Sequence, residues 1–174
     1  MKSEYKMKKN ESQSKLYLNP GDLVITSKGE IIWTLLGSCI SIIFYNPLKK
    51  ISGVCHAQLP YEKSNLSCKN TCPKPCGKNE SDKFKFVTCS FKYMLDAFHE
   101  NGIPNSEIQV SLFGGSTMLN SKNTIFKIGD MNIEKAIELI NENGLKIVRN
   151  ETGGSISRSL THYTDSGITK VKYN

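Results

Sequence analysis

Cys39 and His56 are the two residues of this chain whose types and spacing best suit chemistry. A thiolate is the nucleophile of covalent acyl transfer, and a free thiol, with a pKa of about 8.5, needs a base to ionise it near neutrality. Cys39 closes the stretch Thr34-Leu35-Leu36-Gly37-Ser38-Cys39. There Gly37 is expected to adopt a backbone conformation that a Cβ would resist, turning the chain sharply and leaving N–H groups free beside the thiol. The apolar run Ile40-Ser41-Ile42-Ile43-Phe44-Tyr45 then reads as a strand, Asn46-Pro47-Leu48-Lys49-Lys50 as a turn, and residues 51–59, His56 among them, as the returning strand. Strands joined so closely bring Cys39 and His56 near each other, in a register that the pattern leaves open. The same pair also suits a plain core, because Cys is among the most buried residue types.

The elements that must position this pair follow from apolar periodicity and turn residues. Residues 1–15 are polar and aperiodic and read as a flexible tail. Leu16-Tyr17-Leu18 leads into the turn Asn19-Pro20-Gly21-Asp22, Leu23-Val24-Ile25-Thr26 is a strand, and Glu30-Ile31-Ile32-Trp33-Thr34 is a second strand that delivers the chain to Cys39. Further on, Phe84, Val87, Phe91, Met94, Leu95 and Phe98 recur at helical spacing until Gly102 and Pro104. Residues 108–113 alternate as a strand and run into Gly114-Gly115, which fits either a plain turn or a close backbone approach. Ile133, Ala136, Ile137 and Ile140 mark a second amphipathic helix ending near Gly144. A strand at 145–148, the Gly153-Gly154 turn and two strands around Asp165-Ser166-Gly167 complete the chain. Strands outnumber helices and the two helices fall between runs of strands, so the class is α+β. His99 suits a helix end and His162 a structural place in a strand.

At 174 residues with 38% hydrophobic content, the chain suits one domain, spanning 16–174 after the tail. Its formal charge of +7 comes almost wholly from Lys, since Arg occurs only at Arg149 and Arg158. Lysines crowd the tail and residues 63–85, without the Arg-rich, aromatic-interleaved surface of a nucleic-acid reader, so nucleic acid is not an expected partner. No apolar stretch is long enough to span a membrane and no signal peptide is evident, which points to a reducing cytoplasm.

Between about 61 and 83 the composition shifts to Lys, Asn, Ser and Pro, with Cys68, Cys72 and Cys76 at C-x3-C-x3-C spacing and Cys89 beyond. Zinc sites use thiolate pairs spaced about two to four residues apart. Against a metal stand Pro73 and Pro75, the lack of a second Cys pair and the place of Cys89 in an expected helix; the other reading is unpaired thiols in a mobile loop. The paired glycines lack the Gly-Lys-Ser/Thr and three-glycine fingerprints of nucleotide loops.

Thr34 to Cys39, His56 with Leu59-Pro60, Phe113-Gly114-Gly115 with Met118-Leu119, Ile128-Gly129 with Asn132, and Gly153-Gly154 with Arg158 together resemble the CheD family of chemoreceptor glutamine deamidases. Met131 and Ser157 depart from the usual residues, and residues 61–83 look like an insertion relative to the family. The resemblance implies a layered β-sandwich flanked by helices, a fold shared with other Cys-His deamidases. It implies hydrolysis of receptor glutamine side chains through a Cys39 thioester, with His56 as base, no cofactor, and receptor cytoplasmic helices as partners. Some relatives also bind a chemotaxis phosphatase, so a non-catalytic docking protein on the same scaffold is the alternative. Family members commonly orient the His with a Thr or Ser six residues before the Cys. That position is Trp33 here, with Thr34 one residue later. Neighbours in a strand face opposite sides, so Thr34 is expected to serve only through a bulge or a changed register.

Overall fold

The computed structural model describes residues 14–61, 84–117 and 127–174. Residues 1–13 of the expected N-terminal tail and most of the Cys-rich insertion, with Cys68, Cys72 and Cys76, lie outside them, whereas Lys15, expected in the tail, opens a strand.

Nine strands and two α-helices form along the described chain, five strands before the first helix, one between the helices and three after the second. The strands are β1 (Lys15–Tyr17), β2 (Leu23–Thr26), β3 (Ile31–Leu36), β4 (Ile40–Asn46), β5 (Ile51–Cys55), β6 (Gln109–Gly114), β7 (Lys146–Thr152), β8 (Arg158–Tyr163) and β9 (Ile168–Tyr173), and the helices are α1 (Val87–Glu100) and α2 (Ile128–Glu142). One sheet has the order β1-β3-β8-β9 and the other β2-β5-β4-β6-β7. The α+β class expected from the pattern is therefore the observed one. Two pairings, β1 with β3 and β6 with β7, are parallel.

Packing follows from which side chains each strand offers to its two faces. Ile32 and Leu36 of β3 and Leu160 of β8 form one cluster with Ile43, Val54 and Phe113 of the other sheet, so the two sheets share a core. The opposite face of the second sheet, with Ile40, Ile42, Phe44, Val110 and Leu112, is covered by α1 and α2 through Phe91, Met94, Phe98, Ala136 and Ile140. β4 is consequently buried at every residue, because it lies inside the middle layer and both its faces are covered. Phe44 meets Phe91 and Phe98 edge to face at 5.3 and 5.6 Å, contacts that add about 0.5–1.5 kcal/mol each beyond burial.

The β4–β5 hairpin forms where its turn residues place it. Asn46 Oδ1 accepts from the Lys49 N–H at 2.7 Å and Lys50 takes a φ of 53°. The returning strand is shorter than the expected 51–59: regular pairing stops at Cys55, and the next contact is an isolated bridge between Ile40 and Ala57. β3 in turn runs two residues beyond the expected Thr34, because Leu35 and Leu36 pair with Ser159 and Arg158 of β8.

Candidate active site

The hairpin places Cys39 and His56 on one face. The pairing Ile43 with Val54 and the isolated bridge Ile40 with Ala57 share one antiparallel register. Continued by one residue, it sets Ser41 opposite His56 and leaves Cys39 as the diagonal neighbour of His56, a separation of about 7–8 Å between Cα atoms. This is the face turned to the first sheet, as Cys39, Ile43 and Val54 all belong to the inter-sheet cluster. The His56 backbone is held on both sides by the turn at 19–22: its N–H donates to the Asp22 carbonyl at 2.9 Å and its carbonyl accepts from Gly21 N–H at 2.8 Å.

Thr34 meets His56 across the interface between the sheets. Ile32, Thr34 and Leu36 point inward while Trp33 and Leu35 are exposed, and the β3–β8 register is unbroken from Ile31 to Leu36. The expected bulge is thus absent: regular alternation alone turns Thr34 inward and Trp33 outward, where it stacks on Tyr17 at 4.9 Å. Thr34 Oγ1 donates to the Leu18 carbonyl at 2.9 Å and lies 2.8 Å from His56 Nδ1. With its proton engaged, the hydroxyl receives a hydrogen bond, so Nδ1 carries the ring proton, and the Leu18 carbonyl 3.4 Å away is a second, weaker acceptor for it. Nε2 then holds the lone pair. It is buried and has no hydrogen-bond partner among the described residues, so Cys39 and His56 share a face without a thiol–imidazole hydrogen bond.

Burial sets the protonation states. It pushes the Cys39 thiol above its ordinary value, offset in part by the residue's own N–H, and it pulls His56 below 6.5, offset by the Leu18 carbonyl and the Asp22 charge. A neutral thiol and a neutral imidazole are the resting forms, which suits proton transfer during attack rather than a preformed ion pair.

The Cys39 turn is built by its carbonyls. Gly115 N–H donates to the Cys39 carbonyl at 2.7 Å and Ser116 N–H to the Gly37 carbonyl at 2.8 Å. The N–H groups of Gly37, Ser38 and Cys39 have no backbone acceptor among the described residues. This close approach explains the glycine pair that the sequence left open: at Gly114, with φ +99°, a Cβ would stand 2.3 Å from the Cys39 carbonyl oxygen. Gly37 corrects the expectation placed on it. Its φ is not positive, and a Cβ there would meet nothing within 4 Å. Arg158, 3% exposed, ties the loops together by donating to the Glu151 and Gly153 carbonyls and, at 3.1 Å, to Ser116 Oγ. The sequence held no signal for this bracing beyond the glycine pairs and a lone Arg.

The other histidines and the other described cysteines lie elsewhere. His162 is buried between Ser52 and Thr169, each 2.9 Å away, and His99 is exposed beside Asn105. Cys55 is fully buried, its thiol pushed up to about 11, and Cys89 is buried in α1. Among the described residues no group of three His, Cys, Asp or Glu side chains is placed to hold a metal, and no helix is long and apolar enough to cross a membrane.

Fold and site define a two-sheet α+β protein with a Cys beside a Thr-oriented His at the sheet interface. Comparison with known proteins gives the family. The CheD family, described as CheD chemotactic sensory transduction, matches residues 73–173. A protein of Geobacter sulfurreducens named probable chemoreceptor glutamine deamidase CheD 2 is 30% identical over 157 residues, covering 90% of this chain and 88% of the relative. Proteins named probable chemoreceptor glutamine deamidase CheD are similar at 31% over 157 residues in Methanococcus maripaludis and 29% over 171 residues in Maridesulfovibrio salexigens, covering 94% and 96% of those relatives. The chain belongs to the CheD family.

Proposed function

We propose that this chain is a chemoreceptor glutamine deamidase, an amide hydrolase that converts receptor glutamine side chains to glutamate with Cys39 as nucleophile and His56 as general base. The observation that carries the reading is the oriented imidazole: Thr34 and Leu18 hold the proton on Nδ1, leaving the Nε2 lone pair for chemistry. Nε2 takes the Cys39 proton as sulfur attacks the carboxamide carbon. Hydrogen bonds between base and nucleophile are often formed only with substrate in place. The oxyanion that develops is received by N–H groups of the Gly37 to Cys39 turn, which have no backbone acceptor among the described residues. Collapse breaks the C–N bond, the imidazolium gives its proton to the departing ammonia, and a thioester joins the glutamyl carbon to Cys39. Nε2 then deprotonates water for attack on that carbon, and thiol and glutamate are released.

The docking alternative drew on Trp33 standing where a Thr or Ser is usual. Thr34 occupying the inward position supports the catalytic reading instead. The test is peptide-level mass analysis of a receptor cytoplasmic fragment incubated with the wild-type protein, Cys39→Ala and His56→Ala. Conversion of glutamine to glutamate by the wild type alone is expected. A folded wild type that binds the fragment without converting it would overturn the proposal in favour of docking.

A further inference from the structure

Asn132 lies in α2 and is completely buried. A side-chain amide in a helix commonly bonds to its own or neighbouring backbone. This one reaches away from its helix, donating through Nδ2 to the Ser38 carbonyl at 3.0 Å and to the Gln58 carbonyl at 2.9 Å. Both acceptors are carbonyl oxygens, so the orientation of the amide is chemically fixed: reversed, its oxygen would face two oxygens.

The two acceptors flank the reacting pair. Ser38 immediately precedes Cys39. Gln58 follows His56 by two residues and, in the register of the Ile40–Ala57 bridge, lies opposite Cys39. That bridge is made by reciprocal bonds of 2.9 Å, and at the next position Asn132 takes over, with one nitrogen holding both chain segments. The Gly37 and Cys39 carbonyls are held by the N–H groups of Ser116 and Gly115 respectively, on the far side of β4 from β5, so these bonds do not relate the turn to the segment that carries His56. The Asn132 amide does.

We propose that Asn132 is a positioning residue: its two N–H groups set the separation of the Cys39 turn from the segment that carries His56, and thereby the approach of thiol to Nε2. Its kinetic consequence rests on the deamidase reading; its geometric consequence does not. Misplacement of reacting groups by about 1 Å costs about 10²-fold in rate.

The test uses Asn132→Leu, close in volume and without donors, and Asn132→Ala should the first fail to fold, with melting curves for both. The first readout is the rate of Cys39 alkylation by iodoacetamide against pH, which needs no receptor, compared with wild type and His56→Ala. The second is the split of kcat and KM on a receptor fragment. The pH profile of the Asn132 variants is expected to move to that of His56→Ala, while kcat falls about 10²-fold and KM stays at its wild-type value. The proposal is overturned if a folded variant keeps the wild-type alkylation profile, if kcat and KM change together, or if wild type and His56→Ala already share one profile. A wild type that converts no receptor glutamine sinks the deamidase reading, and the alkylation comparison still decides the role of Asn132.

Discussion

Replacing Thr34 by Val isolates the contribution of one hydroxyl, because the two side chains have nearly the same shape. The substitution removes the donation to the Leu18 carbonyl and the acceptance from His56 Nδ1–H, 2.9 and 2.8 Å long. Thr34 is 1% exposed, so bulk water does not replace it. Two hydrogen bonds at about 1 kcal/mol each, with their partners left underused in a buried place, give a loss of about 2–3 kcal/mol in stability. In the site, the Leu18 carbonyl remains as acceptor for Nδ1–H, but 3.4 Å is long for an N–H···O bond. The preference for the Nδ1–H tautomer weakens by roughly the worth of the lost bond, and since about 1.4 kcal/mol is tenfold, the rate falls about tenfold through the tautomer alone. Looser ring orientation extends this toward about 10²-fold. The fall belongs in kcat, because Thr34 is buried behind the imidazole and contributes nothing to receptor docking. Initial rates of glutamine conversion at saturating and limiting receptor fragment measure it, with Thr34→Ser expected to retain most activity by keeping the hydroxyl. A folded Thr34→Val variant with kcat within about twofold of wild type would refute the assignment, as would a Thr34→Ser variant as slow as Thr34→Val.

Three further outcomes follow from the same geometry. Gly114→Ala puts a Cβ 2.3 Å from the Cys39 carbonyl at a φ of +99°, so urea denaturation should show a loss of about 2–4 kcal/mol, while Gly37→Ala, with open space and ordinary φ, should change stability by under about 1 kcal/mol. Equal losses at the two glycines would contradict this contrast. His162 is held down to about 4 by burial, against an ordinary 6.5, so between these values the unfolded chain takes up a proton that the folded chain does not. The stability this group contributes is present above pH 6.5 and is lost as pH falls toward 4, on the order of 3 kcal/mol in all. Urea midpoints at pH 7 and pH 4.5 should diverge less in His162→Gln, and an unchanged divergence would assign the pH dependence elsewhere. In the proposed mechanism His56 is neutral when it accepts the thiol proton, and burial lowers its pKa, so the acid limb of kcat/KM should fall below 6.5, whereas a limb above 6.5 would contradict the described environment.

What the sequence determined by itself is local. The hairpin that sets Cys39 and His56 on one face is made by strands joined through Asn46 to Lys50, and its apolar run and turn residues are all adjacent in the chain. The stripes read from Phe84 to Phe98 and from Ile133 to Ile140 were legible for the same reason, since periodicity is a property of neighbours, although α1 begins only at Val87 and leaves Phe84 outside it. The motif order along the chain pointed to the CheD family without any geometry.

Tertiary structure decided the rest, because it depended on which face of each strand is covered. Ile31-Ile32-Trp33-Thr34-Leu35-Leu36 is apolar on both alternating sets, and only pairing with β8 and packing of the second sheet turned Thr34 inward. Gly114 owes its glycine to a carbonyl 75 positions earlier in the chain, and Gly37, two residues before Cys39, to neither strain nor close contact. Asn132 bonds to carbonyls 94 and 74 residues away. Contacts of such separation leave no periodic trace in a single chain. They exist only once burial of two apolar faces has fixed how the sheets and helices stack.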